Sequence, residues 1–238
     1  MRFKIFVYIM APIHSAAKSG NLNRVKELLN SGINKNTRNS DATTPLMHAA
    51  QRGHLAVVRE LLDRGAKINM GDRHYNTPLL YASEQGRLAV VKLLLDRGAK
   101  INQADDSGMN AVMLAASEGH LAVVRELIDR GAPINRVDTR GRTALMHTIQ
   151  GERTRPYLGT HMQVFRFLLN RGARANSVIK SNNTPNYMKN MIKNYKARTI
   201  ARYHKASTMR RSLAFIGSNF AKSLPPNMVR KILITPRT

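Results

Sequence analysis

A spacing of 33 residues runs through most of this chain and limits what it can fold into. A proline or alanine recurs with this spacing at Pro12, Pro45, Pro78, Ala111 and Ala144. Two series of glycines keep the same spacing, namely Gly20, Gly53, Gly86 and Gly119, and Gly32, Gly65, Gly98 and Gly131. A unit of this length cannot bury its own apolar face, so neighbouring units must stack. The spacing therefore predicts an array of similar units.

The clearest unit, residues 44–69, contains the start and stop signals of two helices. Pro45 stands at the first helical position, where a missing N–H costs nothing. Gly53 can adopt the left-handed conformation that ends this helix, and Gly65 ends the second one. Threonine is placed to N-cap the first helix in three units, at Thr44, Thr77 and Thr143. The apolar stripe of the second helix consists of Leu55, Val57, Val58, Leu61 and Leu62.

This pattern resembles the ankyrin repeat over about residues 11–180. The resemblance implies an all-α solenoid of stacked helix-turn-helix units, joined by hairpin-like loops such as Asn69–Asn76. We expect five repeats, at residues 11–42, 43–75, 76–108, 109–141 and 142–182. The fifth has eight extra residues, around 151–158, before its second helix resumes at Val164.

The two ends of the chain depart from the repeat pattern. Residues 1–10 place apolar side chains behind Arg2 and Lys4, in the order of a signal peptide but with a short apolar core. We interpret them as a leader or cap, with a translation start at Met10 as an alternative. Residues 183–206 have helical apolar spacing and predict a degenerate sixth repeat or cap, and residues 207–238 a basic, helical extension.

The net charge of +25 is concentrated in the C-terminal part. Residues 143–238 contain 18 basic residues and one acidic residue, whereas residues 43–142 have a net charge of only +3. A basic field attracts nucleic acid, acidic proteins or anionic lipid without choosing among them. The basic side chains are interleaved with Tyr187, Tyr195 and Tyr203, which could stack on bases. The alternative is a solvated face of a cap helix, because helical spacing puts these tyrosines on its buried side.

The sequence offers no catalytic or metal-binding signature. It has no cysteine, no His-Glu-x-x-His motif and no glycine-rich phosphate loop. His54 and His120 follow the repeat glycines, so we interpret them as packing or hydrogen-bonding residues. Asp63, Asp96 and Asp129 also recur by repeat and are interpreted as scaffold residues. We therefore expect no enzyme activity, no cofactor and no metal.

The resemblance implies a concave contact surface made of loop tips and first helices. The matching positions are Asp41, Thr43, Arg52, Arg73, His74, Asn76, Glu84, Gln85, Asp106, Ser107, Met109, Glu118, Thr139, Arg140 and Arg142. Their charges are mixed, which suits a protein partner better than the uniform basic track that phosphate binding needs. The alternative is that they are only solvated loop residues.

Residues 224–233 resemble the opening of an F-box, in which Leu-Pro precedes a helix ending in Ile-Leu. That resemblance implies an adaptor for a ubiquitin ligase. Asn227 replaces the usual acidic residue, however, and only five residues follow Leu233, so the rest of a three-helix box is missing.

Together these observations predict a non-catalytic interaction scaffold that binds a protein partner. No apolar run approaches the ~20 residues that span a bilayer. We expect an intracellular monomer, cytoplasmic or nuclear. The alternatives are association with nucleic acid or another acidic partner through the basic tail, or ligase recruitment through residues 224–233.

Overall fold

The structure is a computed structural model that describes residues 13–154 and 159–176, and positions 178, 186, 189, 190 and 192–194. The chain divides into two compact units, Met1–Ser181 and Asn182–Thr238. The helices of the first unit come in pairs: α1 (13–19) and α2 (Leu22–Asn30), α3 (Pro45–Arg52) and α4 (Leu55–Asp63), α5 (Pro78–Glu84) and α6 (Leu88–Asp96), α7 (Ala111–Ser117) and α8 (Leu121–Asp129), α9 (Ala144–Thr154) and α10 (Thr160–Asn170). The predicted all-α repeat architecture is confirmed.

The first helices begin at the predicted caps, with one exception. The hydroxyls of Thr44 and Thr77 accept hydrogen bonds from the amides three residues later, at 3.3 Å in both cases. Asn110 performs the same role for α7 through its side-chain oxygen, at 3.0 Å. The cap predicted at Thr143 is wrong, because its buried hydroxyl has no hydrogen-bond partner in the described part of the chain. The amide of Met146 instead donates to the backbone carbonyl of Thr143 at 2.9 Å.

The core forms between units, as the 33-residue spacing requires. First helices pack on first helices, from α3 through α5 and α7 to α9, and second helices pack on second helices. Small residues of the first helices, such as Ala49 and Ala50, are fully buried, which allows close packing. The second helices bury the predicted valines and leucines, among them Val57, Val58 and Leu61.

The histidines that follow the repeat glycines connect adjacent units. Nε2 of His54 lies 3.0 Å from the carbonyl oxygen of Lys18, and Nε2 of His120 lies 2.9 Å from that of Glu84. Each ring also sits against a glycine of the preceding unit. A Cβ added at Gly20 would lie 2.6 Å from Nδ1 of His54, so only glycine fits there. The interpretation of these histidines as hydrogen-bonding scaffold residues is confirmed.

The insertion in the fifth unit lengthens α9 and leaves the stacking unchanged. Helix α9 has 11 residues, whereas α5 and α7 have 7 each. Nε2 of His161 then contacts the carbonyl oxygen of Ser117 at 2.8 Å, across 44 residues instead of the 36 that separate His54 from Lys18. The difference equals the insertion. His161 is therefore the equivalent of His54 and His120, displaced in sequence but not in the stack.

The repeating carboxylates join second helices of adjacent units. Arg97 pairs with Asp63 at 2.7 Å, Arg130 with Asp96 at 2.7 Å, and Arg171 with Asp129 at 2.6 Å. All six groups are at least partly exposed, so each pair contributes little by itself. Their regular placement confirms the prediction that Asp63, Asp96 and Asp129 belong to the scaffold.

Several sequence predictions concern residues outside the described ranges. They are the leader at 1–10, most of the sixth repeat or cap at 183–206, the extension at 207–238 and the F-box-like segment at 224–233. Within 192–194 the chain is helical, with Ile192 buried and Lys193 exposed. No helix in the described residues is long and apolar enough to cross a membrane.

Candidate interaction surface

Four loops between units close by the same side-chain hydrogen bond. Residues Asn39, Asp72, Asp105 and Asp138 occupy equivalent positions, 33 apart. Each accepts through its side chain from the backbone amide four residues later: Thr43 (2.9 Å), Asn76 (2.8 Å), Met109 (2.8 Å) and Arg142 (2.8 Å). The carbonyls of those four residues accept in return from the amides of the first four. Each loop is thus a closed hairpin-like tip, which satisfies its own backbone groups.

Two of the tips are also anchored to the first helix that follows them. The hydroxyl of Tyr81 donates to Oδ2 of Asp72 at 2.6 Å, and Nε2 of His147 lies 3.0 Å from Oδ2 of Asp138. Tyr81 and His147 occupy the same repeat position, nine residues after the acid. The third tip has Leu114 at this position, so Asp105 lacks such a donor.

The pKa values of these acids shift in different directions. Burial alone would raise the pKa of Asp72, but hydrogen bonds from Tyr81 and the loop amides outweigh it and hold the pKa below its usual value. The pKa of Asp138 is lowered in the same way, against burial, chiefly by Arg142. Burial raises the pKa of Asp105, because the amides of Met109 and Ser107 compensate only in part.

Adjacent tips are also bonded to each other. Nδ1 of His74 lies 2.8 Å from Oδ2 of Asp106, and the amide of Asp106 donates to the carbonyl of His74 at 3.0 Å. The amide and hydroxyl of Thr139 both donate to the carbonyl of Ser107, at 3.0 and 2.9 Å. The tips around residues 72–76, 105–109 and 138–142 therefore form one connected row. We call this row the tip row.

A groove of about 400 Å³ lies beside the tips and the first helices α3 and α5. The side chains that line it include Asp41, Gln51, Asp72, Arg73, His74 and Tyr81. His48 also lines it, and burial, with the nearby charges of His14 and Lys18, lowers its pKa to about 4. Most of the side chains that line the groove are polar, and the imidazole of His48 is neutral at pH 7.

The structure sorts the predicted contact residues by exposure. The exposed ones are Asp41, Arg52, Arg73, His74, Gln85, Asp106, Ser107, Thr139 and Arg140, and the half-buried ones are Asn76, Glu84, Met109, Glu118 and Arg142. Thr43 is buried. Its hydroxyl lies 3.0 Å from Nε2 of His48 and its carbonyl lies 3.2 Å from Nε2 of His14, so it supports the tip and does not belong to an exposed surface.

Two further predicted residues support the tips from inside. The side-chain amide of Asn76 donates to the carboxylate of Asp72, and the guanidinium of Arg142 donates to Asp138 at 2.8 Å. By contrast, four exposed charges form no side-chain hydrogen bond or ion pair with any described residue: Asp41, Arg52, Arg73 and Arg140. These four are free to contact a partner.

Sequence reasoning missed two features of this surface. The first is the Tyr81–Asp72 and His147–Asp138 pairing, which the constant nine-residue separation could have indicated. The second is Tyr75, whose backbone φ is +62° and whose side chain is 64% exposed. Its signal was present in the repeat alignment, because the equivalent positions 108 and 141 are glycine.

Stacked helix pairs with a bonded row of loop tips define a helical-repeat solenoid. Among the described residues, no group of three or more side chains is arranged to hold a metal ion. A family model described as ankyrin repeats (3 copies) matches residues 13–105 and 102–179. The chain therefore belongs to the ankyrin repeat family, whose members generally mediate protein–protein interaction and are typically not catalysts. A comparison with curated proteins gives no match.

Proposed function

We propose that this protein is a non-catalytic scaffold that binds a protein partner through the tip row and the adjacent groove. The observation that carries the proposal is the contrast between the inward and the outward groups of the tips. Inward, the buried acids and amides are satisfied within the chain. Outward, Arg73, Arg140 and Asp41 have no partner in the described residues. A surface that is fixed beforehand loses little conformational entropy on binding.

The charges of the surface favour a protein over nucleic acid. The predicted contact residues balance in charge, with four arginines and four carboxylates: Arg52, Arg73, Arg140 and Arg142, and Asp41, Glu84, Asp106 and Glu118. A phosphate backbone would be attracted by the arginines and repelled by the carboxylates. Interfaces between proteins commonly contain such mixed polar groups around a smaller set of strong contacts.

The test is affinity capture with the full chain and two charge-matched variants. The variant Arg73→Ala/Arg140→Ala removes two free charges from the tips. The control, Arg59→Ala/Arg166→Ala, removes two exposed charges from second helices. We expect the same partner proteins with the wild type and the control, and loss of them with the tip variant. Equal recovery with all three proteins would contradict the proposal.

The C-terminal charge supports a second candidate function, association with nucleic acid. Residues 143–238 have 18 basic residues and one acidic residue. Phosphate contacts give binding that weakens steeply with salt. Absence of binding to both duplex and single strands at ~50 mM salt would exclude this candidate. The ligase-adaptor hypothesis at 224–233, the monomeric state and the cytoplasmic or nuclear location remain predictions.

A further inference from the structure

The tip of the loop at 72–76 differs from the other tips at one backbone position. Residues 42, 75, 108 and 141 are equivalent by the 33-residue spacing, and all four have a left-handed backbone. Their φ angles are +60° at Ala42, +62° at Tyr75, +76° at Gly108 and +71° at Gly141. Glycine adopts this conformation without steric cost, whereas a Cβ atom approaches the following carbonyl oxygen. The tyrosine is therefore the bulkiest residue held in the strained conformation that the tip requires.

A glycine, Gly71, lies opposite Tyr75 in the same loop, close to its backbone. A Cβ added at Gly71 would lie 2.9 Å from Cα of Tyr75. The next two tips have the reverse arrangement, with Ala104 opposite Gly108 and Val137 opposite Gly141. The first tip has a glycine at neither position, with Arg38 opposite Ala42.

Nothing in the described structure compensates for the tyrosine at this position. Its side chain is 64% exposed and forms no hydrogen bond or ring contact with a described residue. Only its backbone amide is used, as a donor to the carbonyl of Asp72 at 3.2 Å. The left-handed backbone belongs to every tip, but nothing inside the described fold requires a tyrosine there, and strain kept without an internal contact is typical of contact sites.

The neighbours of Tyr75 complete a compact group of binding residues. Arg73 is exposed and without a partner in the described residues, and His74 is held by Asp106 at 2.8 Å. Tyrosine and arginine are the residue types that contribute most often to the strongest contacts of protein interfaces. None of the equivalent tips, Ser40–Ala42, Asp106–Gly108 and Thr139–Gly141, combines an aromatic residue with an arginine.

We propose that Tyr75 and Arg73 are the anchor of the partner interface. The partner is a protein segment that offers apolar side chains to pack against the phenol ring and a carboxylate for the guanidinium. This inference rests on the proposed function and narrows it to one tip. It also states the partner's chemistry, a combination of acidic and apolar side chains.

The experiment uses random 16-residue peptides displayed on phage and selected against the full chain. The affinity of the best enriched peptide is then measured for the wild type, Tyr75→Gly, Arg73→Ala, Arg140→Ala and Ala42→Gly. Ala42→Gly is the matched control, because it relaxes the same backbone position on the neighbouring tip without removing an aromatic ring. Thermal unfolding of each variant is recorded in parallel.

We expect enriched peptides that combine acidic and apolar residues. Tyr75→Gly should weaken their binding by about 30-fold or more, the range of a strong interface contact, and Arg73→Ala by about 10-fold. Ala42→Gly should change the affinity less than about 2-fold, as expected of a residue outside such a contact. Both glycine variants should unfold at or above the wild-type Tm, since strain is relieved.

Two results would overturn the anchor. One is peptides that bind Tyr75→Gly as tightly as the wild type but lose affinity with Arg140→Ala, in which case the proposed surface survives without this anchor. The other is a lower Tm for Tyr75→Gly, which would make the tyrosine a structural residue. If Tyr75→Gly, Arg73→Ala and Arg140→Ala all leave the affinity of every selected peptide unchanged, the proposed function fails together with the anchor.

Discussion

Asp72 and Asp105 occupy the same place in successive tips, yet their pKa values shift in opposite directions. One cause of the difference is the residue on the following helix, which is Tyr81 in one unit and Leu114 in the next. Another is the side-chain amide of Asn76, where the next unit has Met109. A phenol that donates to a buried carboxylate favours its charged form, whereas a leucine only adds to its desolvation. The tips thus share the same backbone hydrogen bonds, but the pKa values of their acids differ.

Tyr81→Phe tests this contact, because it removes the donor hydroxyl and little else. We expect the free energy of unfolding at pH 7 to fall by about 1–2 kcal/mol, the range for a hydrogen bond to a charged group that is partly solvated. The pKa of Asp72 should rise. Urea denaturation measures the first, and NMR titration the second. Leu114→Phe, which adds no donor to Asp105, serves as the control and should leave the pKa of Asp105 raised.

His48 makes the stability depend on pH. Burial, with the charges of His14, Lys18 and Arg52, lowers its pKa to about 4, while the unfolded chain has the ordinary value of about 6.5. Between these values the unfolded state binds more protons, so stability must fall as pH decreases from about 6.5 to about 4. The carboxylate of Asp41 opposes this shift only partly.

The variant His48→Gln keeps a polar contact for Thr43 but cannot titrate. We expect the loss of stability between pH 6.5 and 4 to be smaller in the variant than in the wild type, as measured by urea denaturation at several pH values. The pKa of His147 is also lowered by burial, so part of the acid sensitivity should remain. Identical pH profiles for variant and wild type would show that His48 is not buried as a neutral group.

Helix boundaries followed from the sequence wherever a unit repeats faithfully. The glycine series gave the ends of the helices, and the 33-residue spacing gave the order of packing, because both reflect local backbone geometry. The same reasoning failed at Thr143, where a backbone carbonyl took the amide that a cap would have satisfied. It also left Thr43 on the predicted surface, since spacing alone does not distinguish the root of a tip from its exposed end.

The fifth unit shows why an insertion hides equivalent residues. His161 is fully buried and contacts the preceding unit as His54 and His120 do, but eight extra residues separate it from its expected position. Removing residues 151–158 would shorten α9 to the seven residues 144–150, the length of α5 and α7. Thr160 would then occupy the position of Gly53 and Gly119, whose φ angles are +83° and +76°.

This alignment of Thr160 with Gly53 and Gly119 predicts how two deletion variants differ in stability. Deletion of 151–158 alone forces a β-branched residue into a left-handed conformation, at a cost of about 1–2 kcal/mol. Deletion combined with Thr160→Gly avoids this cost, so its Tm should be about 2–8 °C higher than that of the simple deletion. Thermal unfolding followed by circular dichroism measures both. A higher Tm for the form that keeps Thr160 would show that the register is wrong.

Across the whole chain, most of the net positive charge lies after the regular repeats. Residues 43–142 are almost neutral, with a net charge of +3, whereas residues 143–238 have a net charge of +17. The tip row therefore lies in the nearly neutral part of the sequence and not in the basic C-terminal part. Two binding activities that differ in physical basis could belong to one chain, and they should respond differently to salt.

Salt titration separates the two candidate functions in the intact protein. Contacts through Tyr75 and a single guanidinium bury apolar surface and release few ions, so raising salt from 50 to 200 mM should weaken peptide binding less than about 10-fold. Binding of a duplex through six or more basic side chains should weaken by about 10³-fold or more over the same range. Fluorescence anisotropy with a labelled peptide and a labelled duplex measures both.

Replacing Lys189, Lys193, Lys196 and Arg198 by glutamine should reduce the salt slope for the duplex and leave the peptide affinity unchanged. A peptide affinity that falls as steeply as that of the duplex would show that the tips bind through net charge, against the proposal of a specific contact.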